Sequence, residues 1–516
     1  MEAYYGKNRN NIRMKKIMGR RILFSVPESG TVIKQAQALN GLGWEIIITP
    51  NLEKVFGNSN IPFRTVNEFT GFEKEFPFPP TLHPEMEAAL TLDTANRIDI
   101  VYDITYSLER GNDVGGHTLL ALAVKGNRIP VASEEDMDTL IDLLKNGTVI
   151  DETRKTFISR TLDKIISHYQ SLKNDRGDYV SGNLFLELEN GENPYQTPAY
   201  LYSASDDDAL AIHKFQLLSA NVPCFTNTAD MDCILHTICL AAEAFKKAFG
   251  KVPFIAISAK HGNPCGMAVD WNSPEKCIEK SLWGSPLAVW GGEFIVNFPI
   301  DDLLAEKLVS SPLREKKYNS PYWMLHIIAA PEYSEKTLAV LSKGKSRKIF
   351  RNPALSEPSL NQNPLKRFVR GGFMKQPACS YVPAFKDLSG ISDINTLTDM
   401  IISWSVSFSS FHGGNEVALS SANRLIGVGG GPSTLDAAQI AVLRARDNGH
   451  DPKGSVFAAD AFFPFTDAPE ILYSGGCIAG SVPEGGKNDK LVKNYFAEKN
   501  VSVAYLPEQY RGFIRH

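Results

Sequence analysis

The sequence predicts an α/β protein made of at least two domains. Three observations carry that prediction. The chain has 516 residues, more than a single hydrophobic core usually organises. Residues 22 to about 150 alternate short apolar runs with helical patterns, which implies a parallel sheet covered by helices. Beyond them the alternation resumes, with long helices at 231–249 and 434–446 between further apolar runs.

In chain order, residues 1–20 read as a basic tail (Lys7, Arg9, Arg13, Lys15, Lys16, Arg20) that lacks the apolar centre of a secretory signal. Residues 21–26 and 45–48 read as strands with a helix, 32–42, between them. Residues 98–102 and 129–132 are further strands. Residues 153–173 form an amphipathic connecting helix, with Phe157, Ile158, Leu162, Ile165 and Ile166 at helical spacing. The polar, turn-rich segment 174–182 follows. The expected domains are therefore 21–180 and 181–516. In the second, Ser433 with Asp436 three residues on marks the start of the helix at 434. Paired glycines precede two strand-like segments, Gly291-Gly292 before 293–298 and Gly413-Gly414 before 415–419, a hint of two related halves that does not stand alone.

Composition excludes several classes. Hydrophobic residues make up 43% and charged residues 22%, as in an ordinary globular protein. A net charge of −4 gives no basic footprint for nucleic acid. No apolar run reaches the length of a membrane span. The seven cysteines are scattered without a C-x-x-C pair, which argues against structural zinc and fits a reducing, cytoplasmic compartment.

The chemistry concentrates in a few strings. Lys260-His261-Gly262-Asn263-Pro264-Cys265-Gly266 follows the apolar run 254–257, so a cation and a proton-transfer group stand where a strand ends. Gly and Pro after them favour a fixed turn over a ladder. A surface turn would explain the pair alone. A second unusual string, Ala459-Asp460-Ala461-Phe462-Phe463-Pro464-Phe465, tips the balance toward a site. Its aromatics are the stuff of a core, but Pro464 and Asp467 suit a rigid turn that stacks on a flat heterocycle. Gly427-Val428-Gly429-Gly430-Gly431 lacks the third glycine of a dinucleotide fingerprint and no Gly-Lys-Ser/Thr follows. It reads as a tight strand-to-helix turn. Asn415 reads as a turn residue on sequence grounds alone. The closing Tyr510 to His516 carries two arginines and aromatic anchors, which suggests a docked end that brings a cation to a site.

Together these strings resemble the signatures of the AICAR formyltransferase/IMP cyclohydrolase family of purine biosynthesis. Further echoes occur in order: Phe69-Thr70-Gly71-Phe72, Thr81-Leu82-His83-Pro84, Gly191-Glu192-Asn193-Pro194, Trp290-Gly291-Gly292 and Ile328-Ala329-Ala330-Pro331. The resemblance implies a methylglyoxal-synthase-like N-terminal domain and a transformylase region of two cytidine-deaminase-like subdomains. It also implies a homodimer with sites at the subunit interface, 10-formyltetrahydrofolate as donor, a small amine acceptor and no metal. By the same resemblance Lys260, His261 and Asn415 are the catalytic set. Leu287, Trp290, Pro464, Phe465 and Asp467 line the folate pocket, with Trp290 where the family has phenylalanine. Phe462 and Arg511 face the acceptor.

The chain departs from the family on the acceptor side. Glu189-Asn190 replace an Arg-Tyr that holds a nucleotide phosphate, and a carboxylate there would repel one. His326 replaces an acid, and Thr434 an arginine. The N-terminal domain departs further. Ile48-Thr49-Pro50-Asn51-Leu52 replaces a phosphate-cradling Ser-Thr-Gly-Gly-Thr, and Phe78-Pro79-Pro80 replaces an Arg-x-Lys. Tyr106, Asp113 and Lys125 match cyclohydrolase positions, but a catalytically inactive domain is expected. The main reading is a folate-dependent formyltransferase whose acceptor is AICAR by family, or a divergent amine without a phosphate. A bifunctional enzyme with compensated phosphate sites and a non-catalytic folate or nucleotide binder are the alternatives.

Overall fold

The computed structural model describes residues 20–72, 80–106, 111–147, 150–172, 178–204 and 207–512. The basic segment 1–19, Phe78-Pro79, part of the polar segment 174–182 and the closing Arg515-His516 lie outside them. The chain divides into two compact units, Met1–Val180 and Ser181–His516.

In the first unit the apolar runs at 22–24, 46–48 and 100–102 are wholly buried and become neighbouring strands. The strands are β1 (Arg21–Ser25), β2 (Glu45–Ile48), β3 (Phe63–Thr65), β4 (Ile100–Asp103) and β5 (Ile129–Val131). They form a parallel sheet in the order β3-β2-β1-β4-β5. The order reverses between β1 and β4, which makes the carboxyl ends of those strands the natural place for a ligand. The helix Gly30–Gly41 begins where Ser29 Oγ accepts the N–H of Val32 at 3.3 Å, two residues before the expected start.

The second unit opens on a hairpin, β6 (Asn183–Leu188) with β7 (Ala199–Ser203). Among the described residues its core is an eleven-stranded sheet. The contributing strands before residue 360 are β8 (Gln216–Leu217), β9 (Phe254–Lys260), β10 (Asn263–Asp270), β11 (Gly292–Val296), β12 (Leu325–Ala330) and β13 (Lys348–Arg351). A separate hairpin follows, β14 (Leu365–Val369) with β15 (Gly372–Gln376). The sheet then takes β16 (Asn415–Ser421), β17 (Arg424–Gly431), β18 (Val456–Ala459), β19 (Ala479–Pro483) and β20 (Ser502–Leu506).

Two repeats are evident in this order. Each starts with a long helix (Phe225–Phe249, then Ile394–Ser409), continues as an antiparallel hairpin (β9-β10, then β16-β17) and crosses by a helix to a strand antiparallel to the hairpin's first arm (β11, then β18). Two parallel strands complete each set (β12 and β13, then β19 and β20). The repeats join where β10 pairs antiparallel with β17, Ala268 opposite Arg424. The paired glycines flagged in the sequence do not mark this repeat: Gly291-Gly292 lead into β11, the third strand of the first repeat, whereas Gly413-Gly414 lead into β16, the first strand of the second.

Three expectations need correction. The residues after His261 do not stay in a turn: Asn263 and Pro264 pair with Lys260 and Ala259 in the ladder, and the irregularity falls between Pro264 and Gly266. Only His261 and Gly262 turn, with φ of 54° and 69°, the left-handed pair of a two-residue hairpin. The first long helix starts at Phe225, not 231, because Cys224 and Asn227 cap each other's backbone N–H groups across a polar first turn that carries no apolar signal. Finally, Gly427–Gly431 is strand, not turn. A methyl on Gly427 would lie 2.3 Å from the carbonyl of Ala441, and one on Gly429 would lie 2.3 Å from that of Ala437. Two strand residues advance about 6.6 Å and one helical turn of four residues about 6 Å. The glycines therefore recur in step with the backbone of the helix Thr434–Asp447 and let it lie directly on β17.

Gly429→Ala should accordingly cost ~2 kcal/mol or more, since the obstruction is backbone. Gly372→Ala, in open space on β15, should change stability by less than ~0.5 kcal/mol. Urea denaturation of the two variants checks this; equal midpoints would contradict the close approach.

Candidate functional site

Sheet register gathers Lys260, His261 and Asn415 at one end of the second unit. Lys260 ends β9, His261 forms the turn, and β10 runs back beside β17, whose last residue, Gly431, pairs with Asn415 at the start of β16. A hydrogen bond from the N–H of Phe411 to Asn263 Oδ1 at 2.6 Å ties the two hairpins together there. Asn415 Nδ2 donates to the carbonyl of Gly431 at 3.1 Å, so its amide is already oriented.

Lys260 is held by what surrounds it. Its Nζ donates to the carbonyl of Gly291 at 2.8 Å, next to Trp290. Gly291 has φ of 70°, and a methyl there would crowd Lys260 Nζ and the His326 ring at 3.1 and 3.4 Å. Glu293, on β11 opposite Ala259, is buried. Burial and the charge of Asp230 push its carboxyl up, while Lys260 and the N–H of Gly262 pull the other way. Sequence reading passed over Glu293; the signal was a carboxylate at the start of an otherwise apolar strand. His326, half-buried, lies below its ordinary value chiefly through desolvation, with Lys260, Lys348 and Arg347 adding to the effect. It is therefore a neutral imidazole near pH 7.

Glu189 does not stand as an uncompensated carboxylate. Lys348 Nζ lies 3.9 Å from it, from a position on β13 that the sequence gave no reason to single out. Asn190 accepts the N–H of Phe225 at 2.9 Å through its carbonyl and so fixes the entry to the first long helix.

The second repeat supplies the other wall. Asp460, 1% exposed, follows β18 and accepts the N–H of Glu416 at 2.8 Å. Its Oδ2 has no partner among the described residues. Burial foremost, with the charge of Glu416, pushes it up to about 8. Glu416, also 1% exposed, accepts from His412 Nδ1 at 2.8 Å and from the N–H groups of His412 and Gly413. It thus ties down the loop that delivers Asn415. Phe463 is core, packed on Phe457 and Phe496. Phe462 is half-buried, with the Arg511 guanidinium 5.5 Å from its ring centroid. The carbonyl of Asp460 accepts the N–H of Gly512 at 2.9 Å, which docks this end of the chain. Pro464 is fixed by Asn488 Nδ2 at 2.7 Å, and Asp467 opens the helix Asp467–Gly475. Phe465, Trp290 and Leu287 are exposed. Trp290 is backed by the Arg314 guanidinium at 5.3 Å. Among the described residues no hydrogen bond or ring contact joins the Leu287–Trp290 side to the Phe465–Asp467 side. Thr434 is buried at the start of its helix.

In the first unit Asp113 caps the helix Val114–Lys125, accepting from Gly116 at 2.8 Å and from the N–H of Tyr106 at 3.3 Å. Lys125 is not brought to them. It ends that twelve-residue helix, roughly 17 Å away, beside Glu87 at 3.5 Å. Thr49 and Asn51 satisfy each other and the carbonyls of Phe24 and Val26, so the segment in place of a phosphate cradle is closed on itself. Sequence reading missed Asp103, which burial pushes up to about 7, and His117, held low by burial and by His168, 4.1 Å away between ring centroids.

Asp460 sets a pH test. Its folded-state value lies above its unfolded value of about 3.9, so what it adds to stability is complete below that value and is lost as pH rises through about 8. Asp460→Asn should lose less stability between pH 6 and 9 than the wild type in urea denaturation. An unchanged pH slope would rule the assignment out.

A family model described as AICARFT/IMPCHase bienzyme matches residues 128–444. The chain is 26% identical over 530 aligned residues to the bifunctional purine biosynthesis protein PurH of Aquifex aeolicus (strain VF5), covering 94% of this chain and 98% of that protein. Among solved structures, ForH is 19% identical over 30% of this chain and 95% of its own, with a TM-score of 0.28. A diaminohydroxyphosphoribosylaminopyrimidine deaminase/5-amino-6-(5-phosphoribosylamino)uracil reductase from Thermotoga maritima is 17% identical over 18% of this chain and 29% of its own, with a TM-score of 0.15. Among the described residues no helix is long and apolar enough to cross a membrane.

Proposed function

This chain belongs to the AICARFT/IMPCHase bienzyme family, and from that premise we propose that it transfers a formyl group from 10-formyltetrahydrofolate to an amine. The observation that carries the reading is the Lys260-His261 pair, set on a left-handed hairpin turn, anchored by Gly291 and Glu293, and placed at the same sheet end as Asn415. The first unit is then the methylglyoxal-synthase-like domain of the family, and the two repeats its two cytidine-deaminase-like subdomains. The working molecule is a cytoplasmic homodimer.

His261 takes the proton of the amine as its nitrogen bonds to the formyl carbon. It returns that proton to N10 as the carbon–N10 bond breaks, so the reaction needs no further reactant. Lys260 stabilises the negative charge on the formyl oxygen between those events. Asn415 orients the donor. Trp290, Leu287 and Phe465 offer exposed apolar surface for a flat pterin, with Pro464 shaping the turn and Asp467 available to its amino groups.

AICAR is the acceptor by family. Glu189 and Asn190 favour instead an amine that carries no phosphate. Lys348 beside Glu189 gives the alternative, a rebuilt phosphate grip, its one support. The closed Thr49–Asn51 segment and the remote Lys125 favour a first unit without cyclohydrolase activity.

Three experiments test this. Purified protein should show saturable binding of 10-formyltetrahydrofolate and form a formylated amine detectable by mass spectrometry. His261→Asn should keep the turn, since asparagine tolerates a positive φ, and hold stability within ~1 kcal/mol. Its transfer rate should fall about 10²- to 10⁴-fold. Undiminished transfer in this variant would remove His261 from the mechanism. For the first unit, formyl-AICAR should remain uncyclised in the presence of the protein; robust turnover would overturn the inactive assignment.

A further inference from the structure

The seam between the two repeats holds a feature that the formyl-transfer reading does not use. The loop after the helix Pro274–Leu282 meets its counterpart after the helix Thr434–Asp447. Ser285 Oγ bonds Asn448 Oδ1 at 3.0 Å, and His450 Nε2 bonds the carbonyl of Gly284 at 2.8 Å. Beside this junction lies a cavity of about 730 Å³, within the size range of small-molecule sites. Its far corner is Arg424, opposite Ala268 on β10. Five residues of β10 separate that level from Asn263, roughly 17 Å of strand, so this is not the end of the sheet that carries Lys260 and His261.

The lining is cationic. Lys280, Lys307, Lys317 and Arg424 face it, with His450. Glu279 is the one acid of the wall, and it is engaged together with Glu275 by Lys307 at 2.6 and 2.9 Å. The other three cations have no carboxylate in a salt bridge among the described residues. Lys280 Nζ donates to the carbonyl of Ala422 at 2.9 Å, and Lys317 lies against the rings of Trp283 and Tyr318 at 5.7 and 5.3 Å. Arg424 Nε is buried without a hydrogen-bond partner. The acid facing Arg424 and Lys280 electrostatically, Asp399, accepts the N–H of Asn423 at 2.8 Å, and burial pushes it up to about 7. Asp399 therefore does not fully neutralise the guanidinium. Three under-compensated cations around one concavity repel each other unless an anion joins them, and an arginine is the residue best shaped to clasp a phosphoryl or carboxylate group.

We propose that this seam cavity is a second binding site, for a small multiply charged anion, phosphoryl or polycarboxylate, held by Arg424, Lys317 and Lys280. It is distinct from the formyl-transfer site and does not depend on that assignment. Because the cavity is made by both repeats, its ligand would strengthen the same β10–β17 junction that aligns Lys260 with Asn415.

Isothermal titration of the full chain with inorganic pyrophosphate and, separately, with citrate tests the proposal. At least one should bind saturably below about 5 mM, and the one that binds identifies the ligand chemistry. Lys317→Gln, at an exposed position that does not threaten folding, and Arg424→Gln should each weaken that binding about tenfold or more. His261→Ala should leave it unchanged, and so separates this site from the formyl-transfer site. Absence of binding by both probes would overturn the proposal. So would binding that survives Lys317→Gln and Arg424→Gln, or binding that is lost in His261→Ala.

Discussion

The pairing of β10 with β17 is the constraint on which the second unit depends. Each repeat alone would leave the outer arm of its hairpin with an unpaired edge, and exposed edges are a liability. Joined antiparallel, the two hairpins hide both edges in the middle of one sheet. The same pairing sets the candidate site. It runs the end of β17 back to the turn at His261, so that a residue from the second repeat, Asn415, reaches the same end of the sheet as Lys260 and His261.

Glycine makes that junction thin enough to work. Gly427 and Gly429 let the helix Thr434–Asp447 rest on the strand backbone. On its other side, Gly430 leaves room for Glu416 and His412, which a methyl would meet at 2.4–2.5 Å. The Glu416 carboxylate can then gather the N–H groups of the loop before Asn415. The rigid floor and the positioned amide share one cause. Asp460 adds a buried acid that is neutral over much of the physiological range and supports the same loop through the N–H of Glu416.

Much of this was legible in the sequence, and the failures have physical reasons. β1, β2 and the helix at 434 were visible because apolar period and capping agree there. The ladder at Asn263-Pro264 was hidden because Pro and Gly usually punctuate turns, whereas here the proline faces an irregular step beside Gly266. The glycine string was misread by motif matching. Its alternation at 427, 429 and 431 has the period of a strand, and that was the better signal. Lys260 and His261 could be named from their string and Asn415 only through the family resemblance, but Glu293, Asp460 and Lys348 could not be given roles. Their importance comes from register across β11, β18 and β13, which no local pattern encodes.

The charge pattern around β12 and β13 bears on which ligands the candidate site favours. Burial foremost, with the charges of Lys260, Lys348 and Arg347, lowers His326, so the region is already positive without a histidinium. A phosphate would be drawn to it, yet Glu189 sits against Lys348 and occupies that cation. A dianion entering there must separate the pair or accept a carboxylate at its side, and both cost energy that a neutral or cationic acceptor avoids. The Glu189–Lys348 pair thus sets the electrostatic terms that any phosphate would meet at this place.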